Sequence, residues 1–319
     1  MRPTGRLHLG HLFGALDNWR GLQEEYDCFF FIADWHALTT DYADPSQIPA
    51  YTVEVVLDWL AAGLDPRRAT FFVQSRLPEH AELHLLFSMF TPLAWLERVP
   101  TYKEQREQIT DKDLATYGFL GYPLLQAADI LIYKAHYVPV GVDQVPHVEL
   151  TREVARRFNH LYRPVLVEPE ALLTEFPKIP GTDGRKMSKS YDNAVFLADT
   201  PEEITAKIRP MITDPARQRR SDPGNPEVCP VYDLHKVFTP PAERESYVVP
   251  GCTTAGIGCL DCKQVLLNHA LPVLAPISAR RAELARDPAT VLDILEDGTA
   301  RAKKVAGETL GEAKSAMQI

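Results

Sequence analysis

Apolar and polar positions alternate between two periods along most of the chain. Leu12, Leu16, Trp19 and Leu22 recur at helical spacing and predict a helix over residues 12–26. Cys28–Ala33 is then a continuous apolar run stopped by Asp34, as expected of a strand buried on both faces of a parallel sheet. Residues 52–64 read as helix again and 69–74 as strand. Helix and strand in turn predict an α/β fold, a Rossmann-type doubly wound parallel sheet with helices on both faces. Ligands of such sheets gather beyond the carboxyl ends of strands, where Asp34, Trp35 and His36 fall. His36 alone is equally well explained as a hydrogen-bonded structural histidine.

Residues 78–117 read as helices joined by a polar connection, and the charged stretch 101–113 as a solvated surface segment, with an RNA contact as the alternative. The densest apolar region is 122–133. There Tyr122, Gln126, Asp129 and Ile130 share one helical face, and Asp129, flanked by Ala128 and Ile130, needs a partner. A salt bridge or cap would meet that need as well as a ligand. Val138-Pro139-Val140-Gly141 predicts a short strand, and Asp143 beyond its glycine can accept ribose hydroxyls or cap the helix that runs to Phe158. After residue 191 the pattern turns helical, with candidates at 201–211, 265–274 and 288–317. The expected partition is a catalytic domain at 1–191, a helical domain at 192–285 and a last helix at 286–319 that packs back.

Composition narrows the class. With 319 residues and 45% hydrophobic content the chain can bury a sizeable core, and no run approaches the apolar length of a membrane span, so a soluble cytoplasmic protein with no membrane partner is expected. A net charge of −9 argues against indiscriminate nucleic-acid coating but not against a local track. Arg217, Arg219 and Arg220 form a basic cluster that is either ordinary surface or such a track.

Two segments carry the chemistry. In Thr4-Gly5-Arg6-Leu7-His8-Leu9-Gly10-His11, Gly10 lets a phosphate approach the backbone at a helix start, and His8 and His11 can donate hydrogen bonds to phosphorus-bound oxygens. Roughly 175 residues later, Lys186-Met187-Ser188-Lys189-Ser190 follows the turn Gly181-Thr182-Asp183-Gly184-Arg185 and offers two ammonium groups and two hydroxyls to a departing polyphosphate. Either alone is weak: a K-x-x-K run is usually a solvated turn and H-x-G-H a pair of surface histidines. Met1 stands almost on top of the first segment, whereas a Rossmann half opens on a strand; the expectation is a sequence that starts late relative to that pattern. Four of the five cysteines, Cys229, Cys252, Cys259 and Cys262, have the spacing C-x22-C-x6-C-x2-C, and Cys28 reads as a core residue. Disulfides are disfavoured in a cytosolic chain, which leaves zinc, an iron–sulfur cluster or bare buried thiols, and spacing does not decide.

Taken together, the two segments resemble the signature pair of class I aminoacyl-tRNA synthetases. Asp34–Thr39, Ala127–Leu131, Val138–Gln144 and His147–Arg152 more narrowly resemble the bacterial tryptophanyl enzymes over nearly the whole chain. That resemblance implies tryptophan activation with ATP and Mg2+, transfer to tRNA(Trp), and a homodimer. It implies catalytic roles for His8, His11, Lys186, Ser188 and Lys189. Contacts to ATP are implied for Arg2, Pro3, Thr4, Gly10, His11, Gly141, Val142, Asp143, Ile179 and Lys186, Met187, Ser188, Lys189 and Ser190. Asp129 would accept the indole N–H, in a pocket with Tyr122, Gln126, Ile130, Val138, Val140 and Gln144. A carboxylate would accept a phenol as readily, so a tyrosine-specific relative stays open, as do a nucleotidyltransferase with the same H-x-G-H fold and a non-catalytic paralogue. The cysteine array is similar to that of a subset of tryptophanyl enzymes carrying a 4Fe-4S cluster, which the resemblance favours over zinc.

Overall fold

The computed structural model describes residues 1–100, 114–173, 177 and 179–319, so the charged stretch 101–113 lies outside the described residues. In chain order the elements are α1 (Leu9–His11), a π-helical turn at Leu12–Leu16, α2 (Asp17–Leu22), β1 (Cys28–Ile32), α3 (Asp34–Asp41), α4 (Ile48–Ala62), β2 (Ala69–Val73), α5 (Pro78–Ser88) and α6 (Leu93–Glu97). Then come α7 (Tyr117–Leu131), β3 (Tyr137–Val140), α8 (Val145–Leu161), β4 (Glu170–Leu173), α9 (Pro201–Ile208), α10 (Pro230–Phe238), α11 (Pro241–Glu243), α12 (Val249–Thr253), α13 (Cys259–Leu284) and α14 (Pro288–Met317). Among the described residues no helix is long and apolar enough to cross a membrane.

β1 and β2 pair in parallel from Cys28↔Ala69 to Ile32↔Val73. Alternate residues feed two cores, which is why both strands read as unbroken apolar runs. Phe30, Ile32, Phe71 and Val73 join Leu7, Leu9, Trp59, Leu266, Leu267 and Leu295 on one side. Phe72 meets Leu83, Phe87, Leu131, Phe158 and Leu310 on the other. Fully buried Trp59, Phe71, Phe72 and Phe87 each contribute about 1.5–3 kcal/mol by leaving water. A second parallel pair, β3 with β4 from Tyr137↔Glu170 to Val140↔Leu173, carries the Gly141 turn; the short, half-exposed β4 gave no strand pattern in the sequence. Met1 occupies a further rung beside β1, its amino group donating to the Phe31 carbonyl at 2.5 Å and its carbonyl accepting from Ala33 at 2.8 Å. Burial pushes that amine down to about 5 against the opposing charge of Asp129.

The expected helix at 265–274 is one long helix, α13, with Pro272 and Pro276 inside it. Each internal proline costs on the order of 3 kcal/mol, yet Leu266, Leu267, Ala270 and Leu274 are buried in the first core and offset it. So residues of the 192–285 stretch share a core with the H-x-G-H segment. The last helix crosses the sheet: a methyl group added to Gly298 would lie 1.7 Å from the Phe71 carbonyl oxygen, so α14 touches the β2 backbone directly. Gly298→Ala is expected to destabilise by about 3 kcal/mol, seen as a lower urea midpoint with an unchanged m-value.

Candidate active site

The H-x-G-H segment folds as a cap built from its own imidazoles. His8, rather than His11, is the helix N-cap: its Nδ1 accepts from the Gly10 N–H at 3.1 Å, and the His8 N–H donates to His11 Nδ1 at 3.2 Å. Both Nδ1 atoms are therefore acceptors, and each ring carries its proton on Nε2. The rings stand 3.9 Å apart. Burial, then the charges of Lys189 and Lys186, push His8 down to about 4; burial, then His8 and Lys189, push His11 down to about 3 against the His8 backbone hydrogen bond. At neutral pH the pair is a set of uncharged N–H donors. Positive charge at this site comes from the lysine segment.

That segment is tied down at two points. Met187 is buried in the first core, and buried Asn193 accepts from Ser188 N–H at 2.8 Å while donating to Asp183 at 2.7 Å and to the Lys186 carbonyl at 3.2 Å. Gly184 turns with φ +79°, a conformation that favours glycine. Lys189 begins a 3-10 turn through Ser190, and its ammonium donates to the Thr4 carbonyl at 2.8 Å, the Gly5 carbonyl at 2.9 Å and Thr4 Oγ1 at 3.2 Å. Burial pushes Lys189 down to about 8, with Asp58 opposing. The backbones meet as well: Leu9 N–H donates to Val195 O at 3.0 Å and Leu197 N–H to Leu7 O at 2.9 Å. Segments far apart in sequence thus share one wall. Pro3 is buried beside it, and the Arg2 guanidinium donates to Thr40 Oγ1. The Ile179 side chain lies in the first core.

Asp129 lies at the centre of a second cluster. Thr116 caps α7 through Phe119 N–H, and the helix carries Asp129, 3% exposed, under the end of β2. One carboxylate oxygen accepts from His80 Nδ1 at 2.7 Å and Gln74 Nε2 at 2.8 Å; the other accepts from His36 Nε2 at 2.7 Å and Gln74 Nε2 at 2.9 Å. His80 Nε2 in turn meets the Tyr133 hydroxyl at 2.7 Å, which fixes the His80 proton on Nδ1 when the phenol donates. Burial, then Asp129 and Glu79, keep that phenol far from ionising. For Asp129 itself burial acts upward, but hydrogen bonds and charge from His36 and His80 overcome it and hold the carboxyl below the usual range. His36 is the outermost partner, its side chain 12% exposed against none for His80.

Of the other expected residues, Tyr122 bonds His147 Nε2 at 3.1 Å and Gln144 Nε2 donates to Asp143 at 3.0 Å. Gln126, Ile130, Val138 and Gly141 are half-buried, Val140 is buried, and Val142 and Asp143 are exposed ahead of α8. A cleft of about 220 Å³ between α3, α5 and α7 is lined by Trp35, Thr39, His84, Tyr117 and Tyr122; Tyr122 is the one expected tryptophan contact on its wall. A larger cleft of about 380 Å³, lined by Thr182, Asp183, Lys207 and Ile212, backs the lysine loop. Gln74, His80, Tyr133 and Asn193 were missed in the sequence. Pattern alone offered one signal, a glutamine at the end of the β2 run and a histidine in the first turn of the helix that follows.

Cys229 caps α10, Cys252 lies on α12, and Cys259 and Cys262 form the first turn of α13. All four are free and half-buried. They sense one another: burial, then the other three cysteines, push Cys262 up to about 12, and Cys252 is raised by burial and by Cys229 and Cys259. Cys262 Sγ also meets His235 Nε2 at 3.3 Å. Among the described residues no three donors converge on a point that would hold a single metal ion. Arg217 departs from the expected surface cluster. It turns inward, 9% exposed, and its guanidinium donates to the Ile257 carbonyl at 2.6 Å, leaving Arg219 and Arg220 outside.

With this geometry in place, comparison with known proteins is informative. The family described as "tRNA synthetases class I (W and Y)" matches residues 1–273. The tryptophan–tRNA ligase of Thermotoga maritima is 56% identical over 320 residues, spanning all of this chain and 98% of the relative; that of Ralstonia nicotianae is 48% identical, spanning all of this chain and 97% of the relative. A crystal structure of tryptophanyl-tRNA synthetase from Campylobacter jejuni, complexed with ADP and tryptophan, superposes with a TM-score of 0.89 at 30% identity over the whole chain and 98% of that structure. A tyrosyl-tRNA synthetase from Archaeoglobus fulgidus, at 24% identity and a TM-score of 0.66, shares the fold. On the family match and these identities, the chain belongs to the class I tRNA synthetases of the tryptophan and tyrosine group.

Proposed function

We infer that the chain is a tryptophan–tRNA ligase, which activates tryptophan with ATP and passes it to tRNA(Trp). The observation that carries the mechanism is Lys189 seated on Thr4 and Gly5 beside the two neutral imidazoles. The tryptophan carboxylate attacks the α-phosphorus of Mg2+-bound ATP; a carboxylate O–P bond forms, the bond to the β-phosphate oxygen breaks, and tryptophanyl-adenylate and pyrophosphate result. A hydroxyl of the terminal tRNA adenosine then attacks the acyl carbon and releases AMP. No protein nucleophile is needed. The Nε2–H groups of His8 and His11 hydrogen-bond the phosphate oxygens, and Lys186 and Lys189, with Ser188 and Ser190, follow the charge onto the leaving pyrophosphate. Arg2, Pro3, Thr4 and Gly10 complete the phosphate wall, with Met187 contributing backbone only because its side chain is in the core. Gly141, Val142 and Asp143 meet the ribose, and Ile179 meets the adenine through its backbone.

Specificity is assigned to Asp129, with Tyr122, Gln126, Ile130, Val138, Val140 and Gln144 around the ring and amino acid. His36 faces solvent most among its partners and is the one an indole N–H joins or displaces. Amino-acid-dependent pyrophosphate exchange tests the reading: incorporation with tryptophan and none with tyrosine is expected. Comparable turnover with tyrosine moves the chain to the tyrosine branch, and no exchange with any amino acid removes the catalytic reading.

Residues 192–285 are proposed to face the anticodon, with Arg219 and Arg220 on the RNA side. A homodimer is proposed from Leu85, Met89, Leu93 and Tyr117, large apolar side chains left exposed on or next to α5, α6 and α7, where α7 packs against each of the other two. For the cysteines we propose a 4Fe-4S cluster held by Cys229, Cys252, Cys259 and Cys262. What supports the reading is the neighbourhood of the four thiols, Cys229, Cys252 and Cys259 all acting on Cys262, and a four-thiolate donor set, which suits zinc and equally suits such a cluster. Bound there, it supplies a staple between α10, α12 and α13. Anaerobically purified protein is expected to be brown with four irons, and Cys259→Ser to lose them; one zinc and no iron in the parent protein would refute the proposal.

A further inference from the structure

A charged network unconnected to any expected contact lies beneath the histidine segment. Asp58 is the one buried charge on the apolar run Val55–Ala62 of α4, and it is fully enclosed. One of its oxygens accepts the Leu7 N–H at 2.6 Å and the other Arg281 Nε, from the last turn of α13, at 2.5 Å. Arg281 also donates through Nη2 to Glu54 at 2.6 Å, and the same Glu54 oxygen accepts from Arg6 at 2.9 Å. Two consecutive residues just ahead of His8 are thus pinned from below, one by backbone and one by side chain. From above, Lys189 grips Thr4 and Gly5.

A buried ion pair of this kind is a poor stabiliser: desolvating both ions costs several kcal/mol, and apolar isosteres often do as well. What it supplies is direction. An ionised acceptor fixes the Leu7 peptide plane, and the guanidinium, bridging Asp58 through Nε and Glu54 through Nη2, fixes the acceptor. The segment it holds carries the His8 ring that, in the reading above, meets the phosphates.

We infer that Arg281 and Asp58 are positioning residues for the adenylation step, acting through the Thr4–His8 backbone. They touch no substrate. Their role is to set the distance between the His8 and His11 N–H groups and Lys189, so their loss is read in turnover rather than in tryptophan binding. This rests on the ligase reading, and the test separates the two.

The double variant Asp58→Asn with Arg281→Met removes both charges while keeping volume and an acceptor for Leu7, and Arg281→Lys keeps the charge but meets one carboxylate at a time. In the full-length chain, pyrophosphate exchange at saturating tryptophan is expected to fall about 10²-fold in the double variant, with the tryptophan KM within about twofold of the parent. Arg281→Lys should lie between the two. Amide hydrogen exchange of the peptide spanning residues 4–12 should quicken in the same order. A folded double variant with parental turnover and parental exchange would overturn the inference, as would parallel losses of turnover and tryptophan binding that track thermal stability. Quickened hydrogen exchange in the variants of a parent chain that activates no tryptophan would leave the clamp standing and remove the ligase reading instead.

Discussion

Replacing Lys189 by alanine is expected to slow tryptophan-dependent pyrophosphate exchange by about 10³-fold while leaving tryptophan affinity within about twofold. The ammonium is one of two cations that the lysine segment brings to the site, and the imidazoles opposite it are uncharged at neutral pH. Its three hydrogen bonds to Thr4 and Gly5 hold it beside the imidazoles, and in the proposed mechanism the ammonium exchanges them for phosphate oxygens. Because Asp129 and its partners lie elsewhere in the fold, fluorescence titration with tryptophan should barely register the change. Exchange at the parental rate would exclude Lys189 from charge stabilisation.

Asp129→Asn is expected to cost about 3–5 kcal/mol of stability at neutral pH and to abolish measurable tryptophan binding. The carboxylate receives four hydrogen bonds, two of them from imidazoles, and all are donated to it. An amide presents an NH2 to one of those donors. His80 cannot reverse its tautomer cheaply, since its other nitrogen is committed to Tyr133. The pH dependence follows from the sign of the shift. The folded carboxyl titrates below the unfolded value of about 3.9, so its contribution is complete above that pH and is lost as pH falls towards the folded value. Urea midpoints of parent and variant should therefore differ most at neutral pH and draw together below about pH 4. A gap that stays constant into acid would assign the loss to packing.

Much of the fold was legible because parallel strands buried on both faces read as apolar runs, and β1 and β2 are such runs. What escaped was whatever depended on contacts between distant residues. Asp129 announced a need for a partner through its apolar neighbours, but Gln74 and His80 lie 55 and 49 residues away, and no local spacing links them. Asp58 passed unnoticed within the helix read over residues 52–64, and its cation comes from α13, 223 residues on. The expected helix at 265–274 fell short of α13 at both ends because local propensity carries no knowledge of the core that a helix face will meet. His8 and His11 were legible as donors; their neutrality required the burial and the two lysines that folding places beside them.

The anchoring of Met187 bears on how this enzyme times its cycle. For the lysine loop to swing clear and let pyrophosphate depart, the thioether must leave the core, at about 2 kcal/mol of lost burial, and the grip of Asn193 must loosen. An open form would then be populated by no more than a few molecules in a hundred at rest. The loop is shut by default, like a sprung latch, and a ligand lifts it only in so far as it binds the open form more tightly than the closed one.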